Sequence, residues 1–186
     1  EIRSEGGFEA GTARSQIIAT YANVAMDEKI GLKVIDNTDI DGTGRVLESV
    51  TTSYSDWTIA IGVDGPGTGA ITGLEGTQTT RQTMITTSFD DFDNALVQDI
   101  HTQAYLKDKD SSGNYVLKAD GTYSYSFQVT GSQHIVNDPF DFHDRSPHAV
   151  ITSYKDIAQS IETTRQNIYY DAYDQLGNTL AQRVET

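Results

Sequence analysis

The chain has 186 residues, with 27 acidic side chains against 13 Lys and Arg and no cysteine. The net charge of −14 offers no basic face for nucleic acid or an anionic membrane and favours cations instead. The lack of cysteine excludes disulfides and thiolate metal sites, no apolar run approaches the ~18 residues of a membrane-spanning helix, and the length suffices for one sizeable domain or two small ones.

Along the chain, period-two alternation dominates and helical periodicity is scarce, which predicts an all-β protein with little helix. Residues 1–10 show no initiating Met and no basic-then-apolar leader, as expected of a processed chain or of a segment inside a longer one. Short helices are expected only at 23–30 and 155–161. Strands are expected at 31–35, 45–54, 57–63, 96–106, 115–118 and 122–130, on their Thr, Val, Ile and Tyr content. Val50–Tyr54, Ile85–Phe89 and Val150–Tyr154 read as related strands, each ending in an aromatic with an Asp one or two residues on (Asp56, Asp90, Asp156). Residues 63–69, rich in Gly, form a flexible loop, and 137–148, with Pro139, Pro147, Phe140 and Phe142, an aromatic one.

Two acidic loops carry the sharpest chemical signal. In Asn37-Thr38-Asp39-Ile40-Asp41-Gly42-Thr43-Gly44-Arg45-Val46-Leu47-Glu48, oxygen ligands fall at positions 1, 3 and 5, Gly at 6 and Glu at 12, the spacing of a calcium loop. Asn37, Asp39, Asp41, the Thr43 carbonyl and Glu48 would then surround Ca²⁺, on a hairpin rather than between helices. The same residues also suit an ordinary Asx/Gly turn. A second loop, with Asp108, Asp110, Ser112 and Asn114, repeats half of that pattern without the closing Glu. The cluster Asp138, Asp141, His143, Asp144 and His148 fits neither a helical zinc pair nor a nucleophile triad and reads as a hydrogen-bonded loop. No catalytic residue is assigned, and an enzyme is the least expected class. Exposed Tyr could stack on sugars, but alternating Tyr and Thr also make good cross-strand pairs.

The chain repeats itself. Residues 79–96 recur at 163–180: Thr79-Thr80-Arg81-Gln82 matches Thr163-Thr164-Arg165-Gln166, and a looser copy starts at Thr12-Ala13-Arg14. Arg183-Val184-Glu185-Thr186 resembles the opening Ile161-Glu162-Thr163, as though another unit were beginning. The unit is strand, acidic turn, strand. Its fullest wording, Tyr173-Asp174-Gln175-Leu176-Gly177-Asn178-Thr179-Leu180, resembles the tyrosine-aspartate hairpin repeats of RHS-type bacterial proteins and, more loosely, the repeat modules of giant bacterial surface proteins. That resemblance covers about a quarter of the chain. It implies an extracellular structural or shell-forming role and transfers no catalytic residue.

The sequence reading is therefore of repeated antiparallel hairpins in a sandwich or solenoid-like module, with repeat regions at 1–106 and 107–186 or one continuous domain truncated inside a repeat. The expected function is a structural unit of an extracellular fibre, stalk or surface layer that associates with identical or neighbouring modules through strand edges, rigidified by calcium. The alternative is a calcium-dependent adhesin module that contacts surface glycan. Neither nucleic acid nor membrane insertion is expected.

Overall fold

The structure, a computed structural model, describes residues 2–23, 25, 28–61, 71–141, 143–174 and 178–186. It contains ten strands, β1 (Ile2–Glu9), β2 (Thr12–Tyr21), β3 (Lys29–Ile40), β4 (Val46–Ile61), β5 (Ile71–Phe89), β6 (Ala95–Lys107), β7 (Tyr125–Asn137), β8 (His148–Tyr154), β9 (Glu162–Tyr173) and β10 (Thr179–Glu185). They form one antiparallel sheet whose spatial order is the chain order. β1 pairs only with β2 and β10 only with β9, so the sheet is open. The all-β, repeated-hairpin expectation holds. The sheet runs on through residues 106 and 107, which lie at the end of β6, and β6 pairs with both β5 and β7.

The repeat in the sequence is a repeat in register. Phe89 faces Ala95, Ser88 faces Val97 and Met84 faces Ile100; in β9 and β10 the equivalent Tyr173 faces Thr179, Ala172 faces Ala181 and Ile168 faces Val184. β3 and β4 make a third copy, with Ile40 opposite Val46, Asp39 opposite Glu48 and the same shift of register beside the turn. The stretch that spells a calcium loop is thus the turn of another repeat.

Several local expectations change. Among the described residues there is no helix. Of residues 23–30, Lys29 and Ile30 already belong to β3, while 24, 26 and 27 lie outside the described residues. At 155–161 the Asp156 carboxylate accepts the Ser160 and Ile161 N–H groups at 3.0 and 3.2 Å, and Gln159 has φ 56°, which closes a loop where a helix was expected. The strands expected at 45–54 and 57–63 merge into β4 across a bulge at Asp56, whose φ of 49° lets the ladder resume after a register shift between Ser55 and Thr58. Residues 115–118 make only the isolated bridges Lys109 to Tyr115 and Leu117 to Tyr123, because turns at 110–114 and 118–122 leave no length for a strand. The expected 63–69 loop lies outside the described residues, as does Phe142.

The sheet is essentially one layer. A compact monomer of 20.4 kDa exposes about 8,800 Å²; this chain exposes 11475 Å². The tightest packing is a small cluster at the N-terminal end, where Trp57, just past the Asp56 bulge, meets Ile17, Ala19 and Leu32 and stands edge-on to Tyr21 at 5.6 Å. Elsewhere the faces manage without a second layer. Half-buried isoleucines sit directly opposite glutamines on neighbouring strands: Ile35 opposite Gln16, Ile100 opposite Gln133, Ile135 opposite Gln98 and Ile151 opposite Gln166. Side chains so placed are close enough to pack. The Gln98 amide also donates to the Thr86 hydroxyl at 3.3 Å.

Candidate functional site

The turns joining β1 to β2, β3 to β4, β5 to β6, β7 to β8 and β9 to β10 all lie along one end of the sheet, because in a meander every second turn falls on the same side. Four of them are built around an aspartate. In residues 41–45, 90–94 and 141–145 the first residue is Asp, its N–H donates to the fifth carbonyl and its own carbonyl accepts from the fourth N–H. The carboxylate then accepts the N–H groups of the third and fifth residues: Thr43 and Arg45 to Asp41 at 2.9 and 3.1 Å, Phe92 and Asn94 to Asp90 at 2.9 Å each, His143 and Arg145 to Asp141 at 2.8 and 3.2 Å. Asn178 donates to Asp174 in the same way at 2.8 Å. The fourth residue must take positive φ, and does so as Gly44 (93°), Asp93 (66°) or Asp144 (57°). Gly is the easy choice there and Asp a tolerated one, which explains why a copy without the glycine still makes the turn. The hairpin at 110–114, at the opposite end of the sheet, uses the same geometry, with Gly113 at 85°.

Each turn also grips the next. Thr12 Oγ1 donates to the Gly44 carbonyl at 2.5 Å. Arg45 bonds Asp41 at 2.6 Å, reaches Asp93 at 3.4 Å and lies 4.9 Å above the Phe89 ring. Asn94 donates to Asp144 at 3.2 Å and the Phe140 N–H to Asp90 at 3.3 Å. Arg145 repeats the part of Arg45: it bonds Asp141 at 2.5 Å and covers the Tyr173 ring at 5.3 Å, while the Tyr173 hydroxyl donates to the Ser146 carbonyl at 2.6 Å. Phe89 and Tyr173, each the residue before a turn aspartate, are therefore landing surfaces for an arginine of the preceding hairpin. Sequence reading missed Arg45 and Arg145. Their signal was an arginine four residues after the turn aspartate, as in Asp41-Gly42-Thr43-Gly44-Arg45 and Asp141-Phe142-His143-Asp144-Arg145.

These bonds set the electrostatics. The Thr43 hydroxyl, at 2.7 Å, and Arg45 hold the Asp41 carboxyl well below the usual range despite partial desolvation. Arg145 holds Asp141 down to about 2. Desolvation pulls Asp90 upward, yet its turn N–H donors leave it lowered overall.

The candidate calcium ligands lie in these hairpin turns and in the strands beside them. Asn37 donates to the Ala13 carbonyl at 2.7 Å, Asp39 is an exposed residue of β3 opposite Glu48 of β4, and Asp41 and Thr43 are occupied with each other. Asp108 bonds the Ser124 hydroxyl at 2.6 Å and that of Ser126, while Asp110 takes the Ser112 and Asn114 N–H groups at 2.9 Å each. Among the described residues no three carboxylate or histidine side chains are grouped to hold a metal ion. In the 138–148 loop, His148 stacks on Tyr169 at 4.6 Å, with Nδ1 3.5 Å from Asp138, and His143 contributes its backbone N–H to the Asp141 turn. No protein-family model matches the chain, and no curated protein matches it.

Proposed function

We propose that the protein is a structural repeat module, a strip of wall in an extracellular assembly that extends by strand addition at its open edges. The observation that carries this reading is the single open sheet, each of whose strands packs against its chain neighbours and whose two outer strands have one partner each. An unpaired edge presents a row of N–H and C=O groups that a further strand satisfies. Residues 2–5 of β1 and 182–185 of β10 keep regular register, so each edge offers a short unbroken ladder, and Leu180 and Val184 of β10 are exposed. β10 of one module against β1 of the next is a head-to-tail contact, which propagates rather than closes. The Cys-free acidic composition supports an extracellular setting, and the interlocked turn end gives the strip stiffness without a second layer.

Arg183→Pro and Val184→Pro test this. In an antiparallel pair, neighbouring residues alternate between bonding the partner strand and facing outward. One variant should therefore damage the β9–β10 ladder and lower Tm, and the other should keep Tm while abolishing concentration-dependent growth in sedimentation velocity. A wild-type protein that stays monomeric at high concentration, or growth indifferent to both prolines, refutes edge addition.

A further inference from the structure

Over part of their length β6 and β7 pair only with each other. β5 pairs with β6 only as far as Ala104, and β8 meets β7 only from Ser132, so residues 105–127 stand as an arm. Strand alternation sorts this arm into two faces. Tyr105, Lys107 and Lys109 share one face with their cross-strand partners Phe127, Tyr125 and Tyr115, whereas Leu106, Asp108 and Asp110 take the other. On the first face the rings form two groups: Phe127 lies 5.1 Å from Tyr105 and Tyr105 is stacked on Tyr125 at 5.6 Å, while Tyr115 stands edge-on to Tyr123 at 5.8 Å. Cations are interleaved with them. Arg81 of β5 lies 4.1 Å above Phe127, Lys107 3.9 Å from the Tyr123 ring and Lys109 5.3 Å from that of Tyr115.

Two features make this more than an aromatic ladder. Tyr115, Tyr123 and Tyr125 remain 53%, 42% and 40% exposed, which leaves ring surface open to solvent. In a chain with 27 acids, moreover, none of Arg81, Lys107 and Lys109 forms a carboxylate ion pair among the described residues, and the buried Arg81 Nε has no hydrogen-bond partner. Asp108 is turned to Ser124 and Ser126 on the opposite face. At ~0.1 M salt, fields from the more distant acids fade over about 10 Å.

We propose that this face binds an extended acidic polysaccharide whose carboxylates are widely spaced. Sugar rings stack their apolar C–H faces on Tyr115, Tyr123 and Tyr125, and Lys107, Lys109 and Arg81 bond the carboxylates as charge-assisted donors. Single-stranded nucleic acid also uses stacking and cations, but it requires a positive groove that follows every phosphate. Three cations on a molecule of net charge −14 do not make one. The site occupies a face and not an edge, so it is independent of strand addition.

Isothermal titration at ~0.1 M salt with hyaluronan fragments, which carry one carboxylate per disaccharide, tests the proposal against dextran, oligothymidylate and polyaspartate. Binding to hyaluronan alone is expected. It should weaken by about tenfold or more in Lys107→Gln/Lys109→Gln and in Tyr123→Leu, and persist in Lys118→Gln, all with unchanged circular dichroism. Absence of hyaluronan binding, equal binding of dextran, of oligothymidylate or of polyaspartate, or equal binding by the lysine and tyrosine variants overturns it.

Discussion

At the scale of single residues, the turn aspartates act through geometry more than through charge. Asp41, Asp90 and Asp141 each accept two N–H groups at the hairpin tip, and the fourth turn residue takes left-handed backbone in exchange. Position then decides the cost of a substitution. A Cβ on Gly44 would stand 2.6 Å from the Ala10 carbonyl oxygen, at φ +93°, whereas one on Gly113, at +85°, meets nothing within 4 Å. Gly44→Ala should therefore cost about 1–3 kcal/mol, and Gly113→Asn well under that, both read from urea unfolding. Acid acts on the same groups. The carboxyl of Asp141 titrates near 2 when folded and near the ordinary ~3.9 when unfolded. Its folded value is depressed, so its contribution is present above about pH 4 and is lost as pH falls toward 2. Arg145→Gln should raise the Asp141 pKa in an NMR titration and bring the acid loss of Tm to higher pH; an unmoved titration would show that the guanidinium is not the cause. Because these carboxylates are already engaged by turn donors, millimolar calcium should leave Tm unchanged. A rise of several degrees, as mass action gives for a bound ion, would show that they can be gathered after all.

At the scale of elements, hairpins were legible and their interruptions were not. Alternation and the Asp-x-x-Gly-Asn wording marked β9 and β10, and the recurrence of residues 79–96 at 163–180 marked their copy in β5 and β6, since both depend on residues near in sequence. The β3–β4 copy was harder to see, because a turn aspartate, a glycine and a strand glutamate also spell a metal loop. In the register of that hairpin Asp39 faces Glu48 across the ladder, just before the turn that Asp41 opens. The bulge at Asp56 was read as a break between strands, yet it bends β4 so that Trp57 enters the only cluster of buried apolar residues described. Trp57, 3% exposed and the sole tryptophan, also receives Lys29 at 4.7 Å from its ring. Trp57→Ala should cost about 3–5 kcal/mol and unfold the N-terminal strands before the C-terminal hairpins, as hydrogen exchange resolved by residue would show. Uniform loss of protection along the chain would contradict this view of separately supported segments.

At the scale of the whole molecule, the departure is from compactness. A meander whose strands pack chiefly against their sequence neighbours resembles a linear array, where stability is a sum of local and nearest-neighbour terms. Its surface, 11475 Å² against roughly 8,800 Å² for a compact chain of this mass, means that unfolding exposes less new area than usual. Since the urea m-value scales with that area, it should fall below that of a compact domain of equal length. A full-sized m-value for the monomer would indicate a second layer formed in solution.

By itself the sequence determined what short-range physics controls: the all-β class, the alternating faces, the hairpin unit with its aspartate turn, and the acidic composition. Tertiary structure alone decided how the hairpins stand to one another. The interlocking of Arg45 with Phe89 and of Arg145 with Tyr173, the gathering of the turns at one end and the aromatic-cationic face of the arm each join residues from different strands or turns. Their meeting depends on strand order and register, which local propensity does not encode.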